Sequence, residues 1–316
     1  MAIHWREDTI HPNPHIPEPW IDPAEYEALK KAYDEMAEKY DDAVAKAAKL
    51  DGFVDGTLDE YEAPETLTRV RNCAFTDTAV RRIKIGQVPS ERISWPAFHD
   101  CPELVGLDIN SELNIGAFKM NNDPKLLAIR LAAGATGTAV QTFQNCALLP
   151  FVEFPEGTQG FGRTTVFVGC PALEAIVLPS TVTTLNTNGL SNLKNTVCYC
   201  KFPEGQVTGN WQQYFKKVVY DCENLPADDP DAIALKAYRD QRDAILDGPL
   251  PEATVQALET AAVTKLTSMM KAGLIDTTDE ELASSLYTLG VIDKMPATTK
   301  VDTQPVKDAM DDLASL

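Results

Sequence analysis

A short pattern of apolar residues recurs along the middle of this chain at intervals of 20 to 25 residues. In its clearest copies, which begin at Phe98, Phe143 and Phe167, a Cys follows after three residues and a Leu after six. The first position of the pattern is held in turn by Phe75, Phe98, Phe118, Phe143, Phe167 and Leu190. A period of this length is typical of a solenoid, in which each unit buries its apolar side only by stacking on the next. The pattern predicts an α/β solenoid of about six coils.

Each unit is predicted to contain one short strand and one tight helical turn. Apolar residues alternate in the strand, as in Ile176 and Leu178, and the following Pro179 closes it because proline cannot donate a ladder hydrogen bond. Stacked coils would align these strands into one parallel sheet. The strands are expected to centre near Ile83, Leu107, Ile129, Val152, Ile176 and Val197.

The repeated unit, Phe-x-x-Cys-x-x-Leu-x-x-Ile-x-Leu-Pro, resembles the BspA-like leucine-rich repeat. The resemblance covers residues 52 to about 222, and the unit that begins at Phe118 departs from it because 121–124, Asn-Asn-Asp-Pro, replaces the Cys region. It implies a parallel-sheet solenoid that binds protein partners and has no enzymatic activity. Repeats of this kind occur in phage and prophage structural proteins and in bacterial surface proteins.

Four segments are predicted in chain order. Residues 1–22 form an extended Pro-rich arm, 23–50 a helix, 51–222 the solenoid and 223–316 an acidic helical region. Trp5 and Trp20 are the predicted attachment anchors of the arm, because large aromatic side chains dominate interfaces. Two interpretations of the N-terminal helix stay open: it caps the first coil, or it pairs between subunits. Within the acidic region, helices are predicted at 231–246, 251–272, 278–289 and 304–313.

Charge and hydropathy exclude two classes of partner. The net charge is −19, and residues 223–316 alone carry 18 acidic and 8 basic side chains, so nucleic acid would be repelled. No run of about 18 apolar residues is present, which argues against membrane insertion. The first residues do not resemble a signal peptide, so the expected location is the virion for a phage-encoded protein and the cytoplasm otherwise.

No motif predicts an active site, a cofactor or a metal centre. The spacing of His4, His11 and His15 is interrupted by prolines and gives no fixed ligand geometry. The repeat cysteines Cys101, Cys146 and Cys170 are predicted to be buried, free thiols, since the pattern itself explains their positions.

The preferred hypothesis is a non-enzymatic phage virion component, such as a tail, baseplate or head-fibre subunit, that presents a repeat surface to a partner. That partner would be another virion subunit, a host-surface protein or a glycan, and a homo-oligomer stays open. The predicted solenoid surface residues are His99, Asp108, Glu153 and Val177. The alternatives are a bacterial adhesin-type binding module and an enzyme whose chemistry lies in the C-terminal helices.

Overall fold

The structure is a computed structural model that describes residue 31 and residues 59–295, except for gaps at 64–66, 68–69, 71–73, 77, 87–97, 111–117, 133, 135 and 140–141. Every strand and helix named below belongs to the unit Gly52–Leu316. The predicted arm at 1–22, with Trp5 and Trp20, lies outside the described residues. The predicted helix at 304–313 also lies outside them, and of the predicted helix at 23–50 only Lys31 is described.

The described solenoid contains fourteen short strands, all paired in parallel. In chain order they are β1 (Glu60–Glu62), β2 (Arg82–Ile85), β3 (Gly106–Ile109), β4 (Met120–Asn121), β5 (Ala128–Leu131), β6 (Thr138–Ala139), β7 (Phe143–Gln144), β8 (Phe151–Glu153), β9 (Gly160–Phe161), β10 (Phe167–Val168), β11 (Ala175–Leu178), β12 (Thr184–Leu185), β13 (Val197–Cys200) and β14 (Lys217–Val219). The six predicted strands are β2, β3, β5, β8, β11 and β13, and the solenoid prediction is confirmed. The structure adds β1 and β14 at the two ends of the row.

Each full coil has three sides, more than the predicted single strand and tight turn. The long strands line the first side in two four-stranded sheets, ordered β1-β2-β3-β5 and β14-β13-β11-β8. The second side is the sheet β10-β7-β4, and the third side is the sheet β12-β9-β6. The predicted tight turn is present but begins at the Cys position, where the Leu104 amide donates to the Cys101 carbonyl at 3.1 Å, because the chain first extends through two residues at the repeat Phe.

A left-handed residue makes that sharp turn after the second side. Asp100, Asn122, Asn145, Gly169 and Asn192 occupy equivalent positions, with φ between 53° and 75°. Asn, Asp and Gly tolerate this conformation better than other residues do. The side chains also form a ladder, in which the Asn122 amide donates to Asp100 at 2.7 Å and the Asn145 amide donates to Asn122 at 2.9 Å.

The repeat Phe residues form a buried column, as predicted. Phe98, Phe143 and Phe167 are at most 2% exposed. The rings of Phe143 and Phe167 stack with centroids 5.1 Å apart, and Phe75 stacks on Phe98 at 5.4 Å. Parallel register places identical residues of successive coils side by side, so one aromatic position generates a continuous core.

Three helices follow the solenoid: α1 (Pro230–Leu246), α2 (Glu252–Lys271) and α3 (Glu280–Thr288). Helix α1 begins at Asp229, whose side chain accepts a hydrogen bond from the Asp231 amide, with Pro230 in its first turn. Asp279 caps α3 in the same way. These bounds lie within two residues of the predicted ones, because caps mark helix starts clearly in a sequence.

Candidate functional site

The first side of the solenoid has two buried layers, one within the coils and one beneath the helices. Ile176 and Leu178 of β11 point into the solenoid core, whereas Ala175 and Val177 point outward. Both outward residues are nevertheless fully buried, because helix α1 lies across this side. The middle of the long-strand surface is therefore a helix-covered face, while Glu60 and Glu62 of β1 stay exposed.

Aromatic stacking joins helix α1 to the middle of this face. The ring of Tyr238 stacks on Phe151 with centroids 5.4 Å apart and planes 9° from parallel. The guanidinium of Arg242 lies 5.9 Å from the same Phe151 ring. The Tyr238 hydroxyl donates to Glu174 at 2.9 Å, so a hydrogen bond as well as the ring contact joins Tyr238 to the solenoid.

Gly106 permits the close approach of the C-terminal end of α1. A Cβ atom at this position would stand 3.0 Å from Leu246 Cδ2 and 3.3 Å from Ile245 Cγ2. Nearby, Arg82 donates to the Ile245 carbonyl at 2.9 Å, which satisfies one of the free carbonyls of the last helical turn.

Glu153 is the charged centre of the helix-covered face. It accepts hydrogen bonds from Arg239 at 2.8 and 3.1 Å and from Arg242 at 2.9 Å, and it forms an ion pair with Lys201 at 2.8 Å. Burial opposes its ionisation, but the hydrogen bonds from Arg239 and Lys201 outweigh burial and lower the Glu153 pKa to about 2. The carboxylate is therefore charged at neutral pH.

A second ion-pair cluster lies farther along the same helix. Arg130 of β5 contacts Asp108 at 3.0 Å, Asp243 at 2.9 Å and Asp247 at 3.0 Å. Burial raises the pKa of Asp108, and the Arg130 charge partly offsets that rise. The Arg130 guanidinium thus bridges a carboxylate of the solenoid and carboxylates of the helical part.

These contacts show that the predicted solenoid surface residues on the long strands are covered rather than exposed. Asp108 and Glu153 point outward as expected, but both are paired. Asp108 binds Arg130, which also contacts α1, and Glu153 binds Arg242 of α1. Val177 is 0% exposed. No partner can reach Val177 while the helices are docked. The sequence carried a signal for this outcome that the alternation argument overlooked: all four residues of β11, Ala-Ile-Val-Leu, are apolar, which is typical of a strand buried on both sides.

His99 lies apart from the other three predicted surface residues. It pairs with Asn121 in an isolated bridge on the second side of the solenoid and is partly exposed. Burial lowers the pKa of its imidazole. Its role in recognition stays a prediction, and the structure does not bring it together with Asp108, Glu153 or Val177.

The exposed large apolar side chains of the described residues all lie in the C-terminal helical part. They are Ile233, Leu274, Tyr287 and Met295, with exposed fractions of 56, 65, 49 and 39%. Leu274 stands at the rim of a cavity of about 400 Å³ between the solenoid and the α2–α3 connection. The cavity wall also includes Cys170, which is partly exposed, so the prediction that all three repeat cysteines are buried was wrong for this one.

The described residues include no group of three or more His, Cys, Asp or Glu side chains that could hold a metal ion. In the same part of the chain, no helix combines the length and the apolar character that crossing a bilayer requires. His4, His11 and His15 lie outside this part.

Comparison with known proteins agrees with the repeat. The family model for the BspA type leucine rich repeat region matches residues 51–165 and 137–225 in six copies, which together span more than half of the chain. The chain belongs to this family. Membership of this leucine-rich repeat family indicates a binding or structural role.

Other comparisons add less. No curated protein matches the chain. A crystal structure of a leucine rich cell surface protein from Faecalibacterium prausnitzii A2-165 is similar at 21% identity and a TM-score of 0.27. The match covers 51% of this chain and 32% of that one, so this leucine-rich repeat chain matches about a third of that protein's length.

Proposed function

We propose that this leucine-rich repeat protein is a non-enzymatic structural subunit that is held in a larger protein assembly through its C-terminal helices. The observation that carries the proposal is the division of surfaces. Helices α1–α3 bury their inner sides on the solenoid, while Ile233 of α1, Tyr287 of α3 and Leu274 of the α2–α3 connection are exposed to solvent. An interface would remove their apolar area from water, which favours association.

Charge favours a particular kind of partner. Residues 223–316 carry ten more acidic than basic side chains, as their counts of 18 and 8 show. A partner that covers Leu274 and Tyr287 would therefore have an apolar centre and a basic rim, because complementary charge speeds and orients association. We infer a protein subunit rather than a nucleic acid, whose phosphates these carboxylates would repel.

The finer proposal is that the assembly is a phage virion, with the chain as a tail, baseplate or head-fibre subunit. A solenoid whose longest face is already filled by its own helices suits a rigid building block. In this proposal the N-terminal segment with Trp5 and Trp20 supplies a second attachment, and deleting residues 1–22 should remove the protein from particles without changing its thermal transition.

An adhesin-type surface module is the second candidate. It is favoured by the polar character of the third side of the solenoid. Exposed polar residues of the third side, namely Thr136, Gln159, Thr183 and Thr184, offer hydroxyl and amide groups that suit a protein or glycan partner. His99, on the second side, is partly exposed.

One experiment separates these candidates. Purified particles and protease-shaved cells from the same culture are analysed by mass spectrometry for peptides of this chain. Recovery in particles supports the virion subunit, whereas recovery only in the shaved surface fraction supports the adhesin and ends the virion proposal.

The helix surface is tested separately with two matched variants. Leu274→Asp places a charge at the exposed apolar position and should abolish incorporation into the assembly with an unchanged circular dichroism spectrum. Lys236→Ala changes an equally exposed residue of α1 and should be incorporated normally. Equal incorporation of both variants would contradict attachment through the helices.

A further inference from the structure

Four equivalent turns stack beside the second side of the solenoid, and each begins at one short side chain. In successive coils the positions are held by Cys101, Asp123, Cys146 and Cys170. Each residue's carbonyl accepts a hydrogen bond from the amide three residues later, at 3.1 to 3.2 Å. Asp123 therefore occupies the cysteine position of the irregular coil, which the sequence pattern did not align because that coil carries two extra residues.

Cys146 and Cys170 are direct neighbours in adjacent coils. The strands before them pair in register, with Phe143 beside Phe167 and Gln144 beside Val168. The ladder continues one residue further, where the Asn145 amide donates to the Val168 carbonyl at 2.7 Å. Paired strands lie about 4.8 Å apart, which falls in the Cα separation that disulfides span. The Cys170 thiol also reaches across to the neighbouring coil, where its sulfur lies 3.8 Å from the Phe143 carbonyl oxygen.

Access from solvent differs between the two thiols. Cys146 is fully buried, whereas Cys170 is partly exposed on the wall of the 400 Å³ cavity that opens beside Leu274 and Asp276. A small disulfide reagent can enter a space of this size. Cys101 is not adjacent to Cys146, because the position between them in this column is held by Asp123.

We propose that Cys170 and Cys146 are a redox-sensitive pair, with Cys170 as the entry thiol and Cys146 as the resolving thiol. The Cys170 thiolate attacks a small disulfide and forms a mixed disulfide, and one half of the reagent leaves as a thiolate. Cys146 then attacks the Cys170 sulfur of this mixed disulfide. The second half of the reagent leaves as a thiol, with the Cys146 proton, and the Cys146–Cys170 disulfide remains.

The product ties two coils together across the second side. It closes a loop between residues 146 and 170, which restricts the unfolded chain and raises the thermal midpoint by several degrees. Cys198 and Cys200 are a useful contrast. Their sulfur atoms are 3.8 Å apart on β13, but both side chains are fully buried and no reagent reaches them in the folded protein.

Oxidised glutathione tests the pair in the full chain under native conditions. In the wild type, peptide mapping without reduction should find the Cys146–Cys170 crosslink, with Cys198 and Cys200 still reduced. Cys146→Ser should stop at a glutathione adduct on Cys170, and Cys170→Ser should leave Cys146 unmodified. Cys222→Ser changes a buried cysteine outside the pair and should crosslink like the wild type.

Three results would overturn the assignment. They are a lasting glutathione adduct on Cys170 in the wild type, a crosslink that involves other cysteines, and no reaction until denaturant is added. The wild-type map alone decides between these results, so a variant that fails to fold does not weaken the test.

Discussion

Glu153 of the solenoid and Arg239 of helix α1 form a two-pronged ion pair, in which the guanidinium donates to both carboxylate oxygens at 2.8 and 3.1 Å. The side chain of Glu153 is only 15% exposed, and Arg242 and Lys201 contact the same carboxylate. One acidic residue therefore holds three cations, two of them on the helix. This arrangement makes the helix part of the folded unit rather than a separate appendage.

Replacing Glu153 with Gln should destabilise the protein by about 3 kcal/mol, because removing one partner of a buried ion pair leaves the opposite charges uncompensated. The measurement is the urea denaturation midpoint at pH 7. Lys236→Ala is the control, since its pair with Asp240 is more than 60% exposed on both sides and should contribute under about 0.5 kcal/mol. Equal midpoints for the two variants would show that the cluster does not anchor the helix.

The same residue should make stability depend on pH. The Glu153 pKa is lowered from 4.5 to about 2, so its contribution is complete above about pH 4.5 and is lost as the pH falls towards 2. One pKa unit corresponds to about 1.4 kcal/mol, which gives a loss of about 3 kcal/mol. The difference in unfolding free energy between the wild type and Glu153→Gln should shrink over this range. A difference that is constant from pH 7 to pH 2 would contradict the ion-pair origin.

The sequence predicted those features of the fold that repeat. Strand positions such as Ile83 and Ile176 followed from alternation, and the Phe column followed from the period, since both patterns recur in every coil. The two-residue strands of the second and third sides were not predictable in this way. A strand as short as Phe143–Gln144 shows no alternation, and it exists because the neighbouring coil offers a backbone to pair with.

The repeat pattern did not predict that the C-terminal helices pack on the long strands, and the reason is different. Whether an outward residue meets water or another element depends on tertiary packing, which a periodic pattern does not encode. Phe151 and Tyr199, both on outward positions of the long strands, were the residues that could have indicated it. Two large aromatic side chains on a supposedly exposed sheet are costly without a cover.

Phe167→Ala should lower the free energy of unfolding by about 3–5 kcal/mol, because removing the large ring leaves a cavity between neighbouring coils. Phe167 is 2% exposed, stacks on Phe143 and meets the edge of Phe154 with centroids 6.1 Å apart. Denaturant unfolding should show a lower midpoint with an unchanged slope. Tyr287→Ala removes a ring that is 49% exposed and serves as the control, with an expected change below about 0.5 kcal/mol. If Phe167→Ala lowered stability as little as Tyr287→Ala does, the aromatic column would not be tightly packed.

Asp123 is an unfavourable residue for the solenoid interior. It is completely buried, and only its Oδ1 atom has a hydrogen-bond donor among the described residues, the Cys101 amide at 2.9 Å. Burial raises the Asp123 pKa well above its ordinary value, and the nearby Asp100 charge acts in the same direction. A carboxylate at this position is therefore a cost that the Cys of the other coils does not carry.

Asp123→Asn should stabilise the protein at pH 7 by about 1 kcal/mol or more, because the amide keeps the acceptor for Cys101 and removes a buried charge. An acid with a raised folded-state pKa contributes its full stability below the unfolded pKa of about 3.9 and loses it as the pH rises. The advantage of Asn should therefore disappear near pH 3, as measured by urea unfolding at both pH values. Asp240→Asn alters a carboxylate on the exposed side of α1 and should change stability little at either pH. A less stable Asp123→Asn protein at pH 7 would mean that the Asp123 carboxylate is stabilised inside the coil, and that its burial is no cost to the fold.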